Sequence, residues 1–306
     1  MLNSHIYGID PGSSIVKIYS RQSDEIIKEK NMIAIRNRED ILAAGNEAYE
    51  MFEKNPANVT VSSPMSGGMI ANISYLEIML HYLLRRTGRR VGRHPVIYFA
   101  VPVDMTEIEK RAYYSVAHSG QLRKSKVLLV EKPIADALAL GIPINKTKGS
   151  MIVNIGAATT EISVIADARV IISKIVPLGG EQFNRDIVNT VRRAYNFSIS
   201  QRTANRLKVS LADLKTQKKI AGRVAGIDCV AGLPREKVIP SGLINRSVRS
   251  GVEEIGQEIR SFLERTPPQI HRNILAEGIY LTGGSTRISH IDQVLTEETG
   301  CSILLS

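Results

Sequence analysis

The chain has 306 residues, of which 43% are hydrophobic and 23% charged, as in globular proteins with room for two domains that each have a core. No apolar run reaches the roughly 18 residues of a membrane span, and too few residues precede the first predicted strand for a signal peptide. The two cysteines lack metal-ligand spacing and suggest a reducing cytoplasm, whereas a net charge of +10 favours an anionic partner such as nucleic acid, a membrane or nucleotide phosphates.

The first half of the chain predicts strands that alternate with helices. Apolar alternation predicts strands at residues 7–9, 15–19, 25–28, 32–35, 95–101 and 127–130. Helical spacing predicts helices at residues 46–53, 74–86, 104–119 and 133–140, the third with Asp104 or Thr106 as its N-cap. The polar linker at residues 143–149 has the composition of a domain boundary.

After this linker the pattern restarts. Strands are predicted at residues 151–166 (two strands around a turn), 169–176 and 279–282. Helices are predicted at residues 181–195, 203–214, 247–263 and 288–298, with an extended excursion at residues 221–238. A strand-rich opening followed by mixed strands and helices therefore occurs twice, which is typical of a duplicated α/β unit.

Each half contains a hairpin whose tip is suited to phosphate. The sequences are YGIDPGSSIVKIY at residues 7–19 and MIVNIGAATTEISVIA at residues 151–166. Small residues at such a tip leave backbone N–H groups and hydroxyls accessible to phosphate oxygens. Two such hairpins suggest two similar lobes that grip one phosphate tail, although a sandwich hairpin with small turn residues is the plain alternative for the second one.

The order of the segments resembles the MreB family of bacterial actins, within the superfamily of actin, hexokinase and the heat-shock chaperones. The matching motifs are YGIDPGSS (7–14), AVPVDMTEIEKRA (100–112), EKPIADA (131–137), LGGEQFN (178–184), QRTA (201–204) and LTGGS (281–285). They resemble, in order, the first phosphate loop, a strand-to-helix turn, the connecting segment, two motifs of the second lobe and the adenosine loop. Each motif alone is weak, but together they cover nearly the whole chain.

The resemblance implies the two-lobed actin-like ATPase fold, an α/β architecture of duplicated ribonuclease-H-like units with inserted subdomains. The first lobe is expected at residues 1–142, with a small inserted subdomain at about 30–75. The second lobe is expected at residues 143–278, with an inserted subdomain at about 204–245. Residues 279–306 are expected to form the adenosine loop and an incomplete return toward the first lobe.

The resemblance also implies a set of nucleotide-binding residues in the two hairpins, the ribose-side helix and the adenosine loop. They are Gly12, Ser13, Ser14, Gly156, Ala157, Ala158, Thr159, Asn205, Arg206, Lys208, Gly283, Gly284, Ser285 and Thr286. Asn205 and Arg206 stand where the family has ribose-side glutamates. Asp10 is a candidate catalytic residue and a candidate magnesium ligand through water, although its Asp-Pro-Gly sequence is also a strong turn former.

Several positions depart from the family pattern. Lys132 replaces the glutamate that orients the attacking water, and an ammonium cannot accept the proton of that water. Asn154 replaces the aspartate that reaches the magnesium shell. Ala157 and Ala158 replace a glycine pair, and their Cβ atoms are expected to disfavour positive φ and to crowd the phosphates. We therefore expect ATP or ADP with Mg²⁺ to bind weakly or not at all, and hydrolysis to be impaired or absent.

The basic loop at residues 85–93 suggests a second kind of site. Arg89, Arg90 and Arg93 are candidate contacts to an anionic membrane, with a solvated charge run as the alternative. The sequence argues against nucleic acid as a partner, because the chain has no tryptophan and no aromatic residue interleaves with this loop.

By resemblance, the protein is expected to form filaments in the cytoplasm at the inner face of the cell membrane and to organise peptidoglycan synthesis. Its expected partners are copies of itself and shape-determining membrane proteins. The alternative is a non-polymerising pseudo-ATPase, an adaptor or regulator of a membrane-associated or shape-determining assembly. A chaperone ATPase domain is a weaker alternative, since no peptide-binding domain is expected after residue 306.

Overall fold

A computed structural model of the chain describes residues 5–37, 40–54, 58–86, 91–92, 94–215 and 220–305. Contacts divide the chain into two units, Met1–Ala135 and Asp136–Ser306. The division falls inside one helix, Lys132–Ala139, whereas the sequence suggested a boundary after residue 142. Each unit is described by itself.

The first unit holds ten strands and the first helices among its described residues. The strands are β1 (Ile6–Pro11), β2 (Ile15–Ser20), β3 (Glu25–Lys30), β4 (Ile33–Arg36), β5 (Asp40–Ala44), β6 (Val59–Ser62), β7 (Met65–Ser66), β8 (Met69–Ile70), β9 (Val96–Val101) and β10 (Lys126–Glu131). The helices are α1 (Asn46–Met51), α2 (Ile73–Arg86), α3 (Glu107–Val116) and α4 (Lys132–Ala139), which crosses into the second unit.

The main sheet of the first unit has the order β10-β9-β1-β2-β3. β1 forms an antiparallel hairpin with β2 and pairs in parallel with β9. Alternate residues of the hairpin enter the core: Tyr7, Ile9, Val16 and Ile18 are buried with the apolar side of α2. The opposite face of the hairpin carries Asp10 and Lys17 together with the exposed Ile15 and Tyr19, so burial alternates along both strands with a period of two.

Two smaller features of the first unit bear on the predictions. A small sheet of order β5-β4-β6 packs with α1 around Ala34, Ala43 and Ala48, inside the region expected to be an inserted subdomain. Thr106, one of two N-cap candidates, caps α3 through a capping box with Glu109.

The second unit repeats the design of the first. Its strands are β11 (Ser150–Ile155), β12 (Thr160–Ala166), β13 (Arg169–Val176), β14 (Phe197–Ser198), β15 (Ala221–Asp228), β16 (Pro234–Pro240), β17 (Ile279–Thr282) and β18 (Ile303–Leu305). Its further helices are α5 (Gly180–Tyr195), α6 (Gln201–Leu211), α7 (Ser241–Glu264), α8 (Pro268–Glu277) and α9 (Ile291–Thr299). The main sheet has the order β13-β12-β11-β17-β18, which matches β3-β2-β1-β9-β10 strand for strand. This match confirms the duplicated α/β architecture.

Some elements of the second unit differ from the expectation. The excursion at residues 221–238 is an antiparallel hairpin, β15 with β16. α7 begins at Ser241 instead of residue 247. α8 was not predicted, since Pro268 suggested a helix end although proline is tolerated at a first helical position.

Residues 279–305 lie within the second unit. β17 pairs in parallel with β11 on one side and with β18 on the other. α9 packs on α7, and the buried side chains Val294, Leu295 and Cys301 belong to the core of this unit. This segment was expected to begin a return toward the first lobe.

Candidate functional site

The tip of the first hairpin is held by a buried asparagine. The side-chain amide of Asn31 donates to the Gly12 carbonyl at 2.9 Å, and its backbone N–H donates to the Ser14 carbonyl at 2.9 Å. Asn31 is fully buried. A Cβ atom on Gly12 would lie 2.7 Å from the Ile15 carbonyl oxygen, so only glycine fits this turn without a shift. The backbone of the tip is therefore fixed from behind.

Neighbouring loops also hold Ser13. Its hydroxyl accepts a hydrogen bond from the backbone N–H of Gly68 at 3.2 Å, and its carbonyl accepts one from the Ser63 hydroxyl at 3.3 Å. The backbone carbonyls of the three predicted tip residues thus all accept hydrogen bonds: those of Gly12, Ser13 and Ser14. Carbonyls engaged in this way leave the N–H side of the turn as the side on which a ligand would be bound.

A charged row crosses the outer face of this sheet. Asp10 on β1 is the register partner of Lys17 on β2, and Lys17 is the register partner of Lys28 on β3. The Lys17 ammonium donates to the Asp10 carboxylate at 2.7 Å, with side-chain exposures of 50% and 24%. We call Asp10, Lys17 and Lys28 the charged row. Asp10, a candidate magnesium ligand by resemblance, is thus ion-paired within its own hairpin.

The tip of the second hairpin closes without positive φ angles. The Gly156 N–H donates to the Thr159 carbonyl at 2.9 Å, which closes the turn. Neither Ala157 nor Ala158 is among the residues with positive φ. The turn therefore avoids the positive φ that alanine disfavours and uses backbone angles that alanine adopts freely, and the crowding of phosphates by the two Cβ atoms stays a prediction.

Hydrogen bonds tie this second tip to the start of α5. The Gly156 carbonyl accepts from the Gly180 N–H at 3.0 Å and from the Ser285 hydroxyl at 3.1 Å. The Ala157 carbonyl accepts from the Glu181 N–H at 2.8 Å. The tip, the helix start and the adenosine loop thus form one hydrogen-bonded group within the second unit.

Asn154, at the position of the family aspartate, has a carboxylate partner. Its side-chain amide donates to the Asp136 carboxylate at 2.6 Å. Asp136 lies on α4. The Asn154 amide, which by resemblance stands in the place of an aspartate, therefore has a carboxylate as its hydrogen-bond acceptor. Lys132, also on α4, is partly buried.

Lys208 serves a packing role in the second unit. Its side chain is buried, its ammonium donates to the Gly180 carbonyl at 2.6 Å, and it lies 5.9 Å from the centroid of the Phe183 ring. Asn205 is half-buried and Arg206 exposed on the same helix. The structure thus joins Lys208 to the base of the second hairpin tip, through α5.

The adenosine loop depends on one glycine more than on the other. Gly283 has φ of +101°, and a Cβ atom there would lie 2.5 Å from the Ile155 carbonyl and 2.6 Å from the Asn154 side-chain oxygen. Gly284 has nothing within 4 Å of such an atom. The Thr286 hydroxyl donates to the Gly283 carbonyl at 2.8 Å. Gly283 is therefore needed for the close approach of this loop to β11.

The candidate membrane residues Arg89, Arg90 and Arg93 lie outside the described residues. Among the helices that the structure describes, none combines the length and apolar character that crossing a membrane would require. Nor does the described part of the chain bring three or more His, Cys, Asp or Glu side chains together in a way that could hold a metal ion.

Sequence reasoning missed three residues that form or contact these hairpins: Lys17, Asn31 and Asp136. The partner of Lys17 was accessible, because a hairpin whose tip spans the four residues 12–15 places residue 17 opposite residue 10. Asn31 contacts the first tip and Asp136 contacts Asn154 on β11, each from another element, and no local pattern marks them.

A family model described as "MreB/Mbl protein" matches residues 4–306. The chain belongs to the MreB/Mbl family. It is 30% identical over 304 residues to the cell shape-determining protein Mbl of Bacillus subtilis, covering 98% of this chain and 90% of that protein. It is also 30% identical over 311 residues to the cell shape-determining protein MreB of Escherichia coli K12, covering 99% of this chain and 89% of that protein.

Solved structures agree with the fold. The crystal structure of MreB5 of Spiroplasma citri bound to ADP superposes with a TM-score of 0.93 at 26% identity, covering 99% of this chain and 92% of that one. The MamK double helical filament gives a TM-score of 0.81 at 16% identity, covering 99% and 94%, and shows the fold alone. The predicted actin-like ATPase fold and the resemblance to MreB are thereby confirmed.

Proposed function

We propose that this member of the MreB/Mbl family is a nucleotide-binding cytoskeletal protein that forms filaments linked to cell shape and peptidoglycan synthesis. Its relatives named cell shape-determining proteins and the ADP-bound and AMPPNP-bound MreB structures support this proposal. The main support is the pair of hairpins β1–β2 and β11–β12. The two main sheets have the same strand order, and each hairpin occupies the equivalent position in its own sheet. Each hairpin supplies groups for binding nucleotide phosphates.

We further propose that hydrolysis of the nucleotide is impaired or absent. Lys132 stands at the position of the water-orienting glutamate and, as an ammonium, accepts no proton. Asn154 cannot supply the carboxylate of the family, and its amide already donates to Asp136. Losing a general base typically lowers the chemical rate by about 10²–10⁴-fold.

Phosphate release tests this proposal. The double change Lys132→Glu with Asn154→Asp should raise hydrolysis over wild type, provided that the second carboxylate is tolerated beside Asp136. Adding Asp136→Ala removes that conflict, so the triple variant should release phosphate fastest, by at least about tenfold over wild type if a general base is restored. Wild-type release as fast as that of the triple variant, with folding intact, would contradict impaired hydrolysis.

Assembly is expected to survive a weak catalytic site, because filament contacts of the family lie away from the phosphates. A charge of +10 repels like subunits at low salt, so assembly should strengthen with salt or on an anionic surface. It should differ little between ATP and ADP. Light scattering and electron microscopy across a salt series measure both effects.

Location at the inner face of the membrane, alongside shape-determining membrane proteins, also belongs to the proposal. Replacing Arg89, Arg90 and Arg93 with glutamine should weaken pelleting with anionic vesicles and leave the low binding to neutral vesicles unchanged. High salt should weaken wild-type binding, since the Debye length falls from about 10 Å at 0.1 M to about 3 Å at 1 M. Equal pelleting with both kinds of vesicle would argue against this membrane contact.

A non-polymerising adaptor or regulator is the second candidate function. The specific observations in its favour are the altered catalytic positions Lys132 and Asn154. Sedimentation with and without ATP separates the two proposals: a filament-forming protein pellets at high concentration, whereas an adaptor stays monomeric on lipid and off it.

A further inference from the structure

We infer that the charged row of the first hairpin binds the phosphates of a metal-free nucleotide, with the Lys17 ammonium in the place of a divalent cation. The inference rests on the proposed nucleotide-binding function and deepens it, because it names the form of the ligand. It concerns Asp10, Lys17 and Lys28 alone, all on the outer face of one sheet.

The geometry of the row fixes the position of the Lys17 ammonium. Directly opposite residues of antiparallel strands have Cβ atoms about 4.5–5.5 Å apart, so their side chains meet on one face. Lys17 meets Asp10 on one side at 2.7 Å, and its register partner on the other side is Lys28. Lys17 lies three positions after Ser14, the last residue of the predicted phosphate loop, on the strand that follows this loop.

The row carries a surplus of positive charge. Within the part of the chain that the structure describes, Lys28 makes no ion pair or hydrogen bond. Lys17 and Lys28 are like charges directly opposite each other, which is a destabilising arrangement, and the single Asp10 carboxylate offsets only one of the two charges. A phosphate group would relieve this repulsion, and lysine binds phosphate as a point charge.

The residues do not fit the magnesium ion that the resemblance implies. Mg²⁺ is usually bound by one or two carboxylates together with substrate phosphates. The Asp10 carboxylate is paired with an ammonium at 2.7 Å, which repels an approaching cation. Asn154 stands at the position of the family aspartate and supplies no negative charge. Its amide donates a hydrogen bond to the Asp136 carboxylate.

A nucleotide without metal is the form that this arrangement favours. A bare diphosphate or triphosphate carries two more negative charges than its complex with a divalent cation. Those charges interact with Lys17 and Lys28 instead of with the ion, and a bound Mg²⁺ would place a third cation beside the two ammonium groups. The ligand class is therefore the free nucleoside diphosphate or triphosphate.

Titration of the full-length protein with ADP tests the inference, in one buffer with EDTA and in another with Mg²⁺. We expect dissociation constants that agree within about threefold in the two buffers, or tighter binding in EDTA, because the cationic side chains supply the charge that the metal supplies elsewhere. Binding at least tenfold tighter with Mg²⁺ would overturn the inference and leave the proposed nucleotide binding intact. Absence of ADP binding in both buffers would overturn the proposed function and the inference with it.

Lys17→Met should weaken ADP binding in EDTA by about tenfold, the size expected for a lost charge-assisted hydrogen bond. Mg²⁺ should then tighten the binding, since the Asp10 carboxylate is released. Lys126→Met is the matched control, because Lys126 lies exposed at the other end of the same sheet and its removal changes the net charge equally. Equal losses in both variants would overturn the inference. Circular dichroism melting shows whether each variant folds, and Lys17→Arg should keep the metal-free binding.

Asp10→Asn distinguishes a magnesium site from a metal-free phosphate site, because it should change the ADP affinity in opposite directions in the two cases. If Asp10 served a magnesium ion, its loss would weaken ADP binding in the Mg²⁺ buffer. If Asp10 restrains Lys17, its loss frees the ammonium and should tighten ADP binding in EDTA by several-fold, by removal of one negative charge beside the phosphates. Weaker binding of ADP to Asp10→Asn in EDTA would overturn the inference.

Discussion

The two hairpins resemble each other in sequence but are held in place by different forces. Every residue of β11 and β12 is buried, and the tip between them is fixed by backbone hydrogen bonds to α5 and by the close approach of Gly283. The first hairpin buries only alternate residues, and its outer face carries the charged row. The same loop design thus serves as a packed element in one unit and as a half-exposed surface in the other.

The difference indicates where substitutions affect folding and where they affect binding. A group with neighbours on all sides cannot change without a cost in packing or hydrogen bonding. Exposed charges interact through solvent and contribute little to stability, although they govern the attraction of an anion. We therefore expect changes in the second hairpin to lower stability and changes in the charged row to alter ligand binding.

The largest expected effect is that of Gly283→Ala. The added Cβ atom would lie 2.5 Å from the Ile155 carbonyl, and φ of +101° is unfavourable for alanine. We expect the free energy of unfolding of this unit to fall by about 4 kcal/mol, measured by urea titration.

Gly284→Ala is the control for that change, since nothing lies within 4 Å of its added atom. It should change the free energy of unfolding by less than about 1 kcal/mol. Similar losses in both variants would mean that the contact with β11 does not constrain the loop.

The next effect concerns Asn154→Asp, which restores the family carboxylate. It replaces an amide donor, 2.6 Å from Asp136, with a second negative charge, so we expect a loss of about 2–3 kcal/mol at pH 7. Repulsion raises the pKa of the pair above its value in the unfolded chain. The loss of stability is therefore present above the pKa of the pair in the folded variant. It disappears as the pH falls toward about 4, the pKa of a free aspartate.

Thermal melts of the Asn154→Asp variant between pH 4 and pH 7 measure this dependence. Adding Asp136→Ala should restore most of the stability at pH 7 and remove the pH dependence. A variant with the two carboxylates that is as stable as wild type at pH 7 would show that the Asn154–Asp136 hydrogen bond contributes little.

A smaller loss is expected for Asn31→Ala behind the first tip. The change leaves the Gly12 carbonyl without its side-chain donor, which should cost about 1–3 kcal/mol. Asn205→Ala is a matched control, because the half-buried Asn205 on α6 makes no hydrogen bond among the described residues. It should change stability by less than about 0.5 kcal/mol, and urea titration of the two variants decides whether the tip depends on Asn31.

The smallest effect on stability is that of Lys17→Met. Its ion pair with Asp10 is half-exposed, so the free energy of unfolding should fall by no more than about 1 kcal/mol. The same variant is expected to bind metal-free ADP about tenfold more weakly. A melting temperature as low as that of Gly283→Ala would contradict the contrast between the two hairpins.

The sequence determined the order of the elements and the family. Apolar alternation marked β1 and β2, continuous apolar runs marked β11 and β12, and small residues between the runs marked both tips, because these signals depend on neighbours along the chain. The same holds for the helix that Thr106 caps. Turn residues and the spacing of hydrophobic residues are local signals. They are therefore recognisable in a sequence that is 30% identical to its relatives.

The tertiary structure decided what surrounds the tips. Asp136 lies 18 positions before Asn154, and Asn31 lies 19 positions after Gly12, so neither contact follows from a local pattern. The φ angles of Ala157 and Ala158 likewise depend on how α5 bonds to the tip. Hydrogen bonds between elements require distances and directions that packing alone sets, which is why the residues that hold these tips were found only in the folded chain.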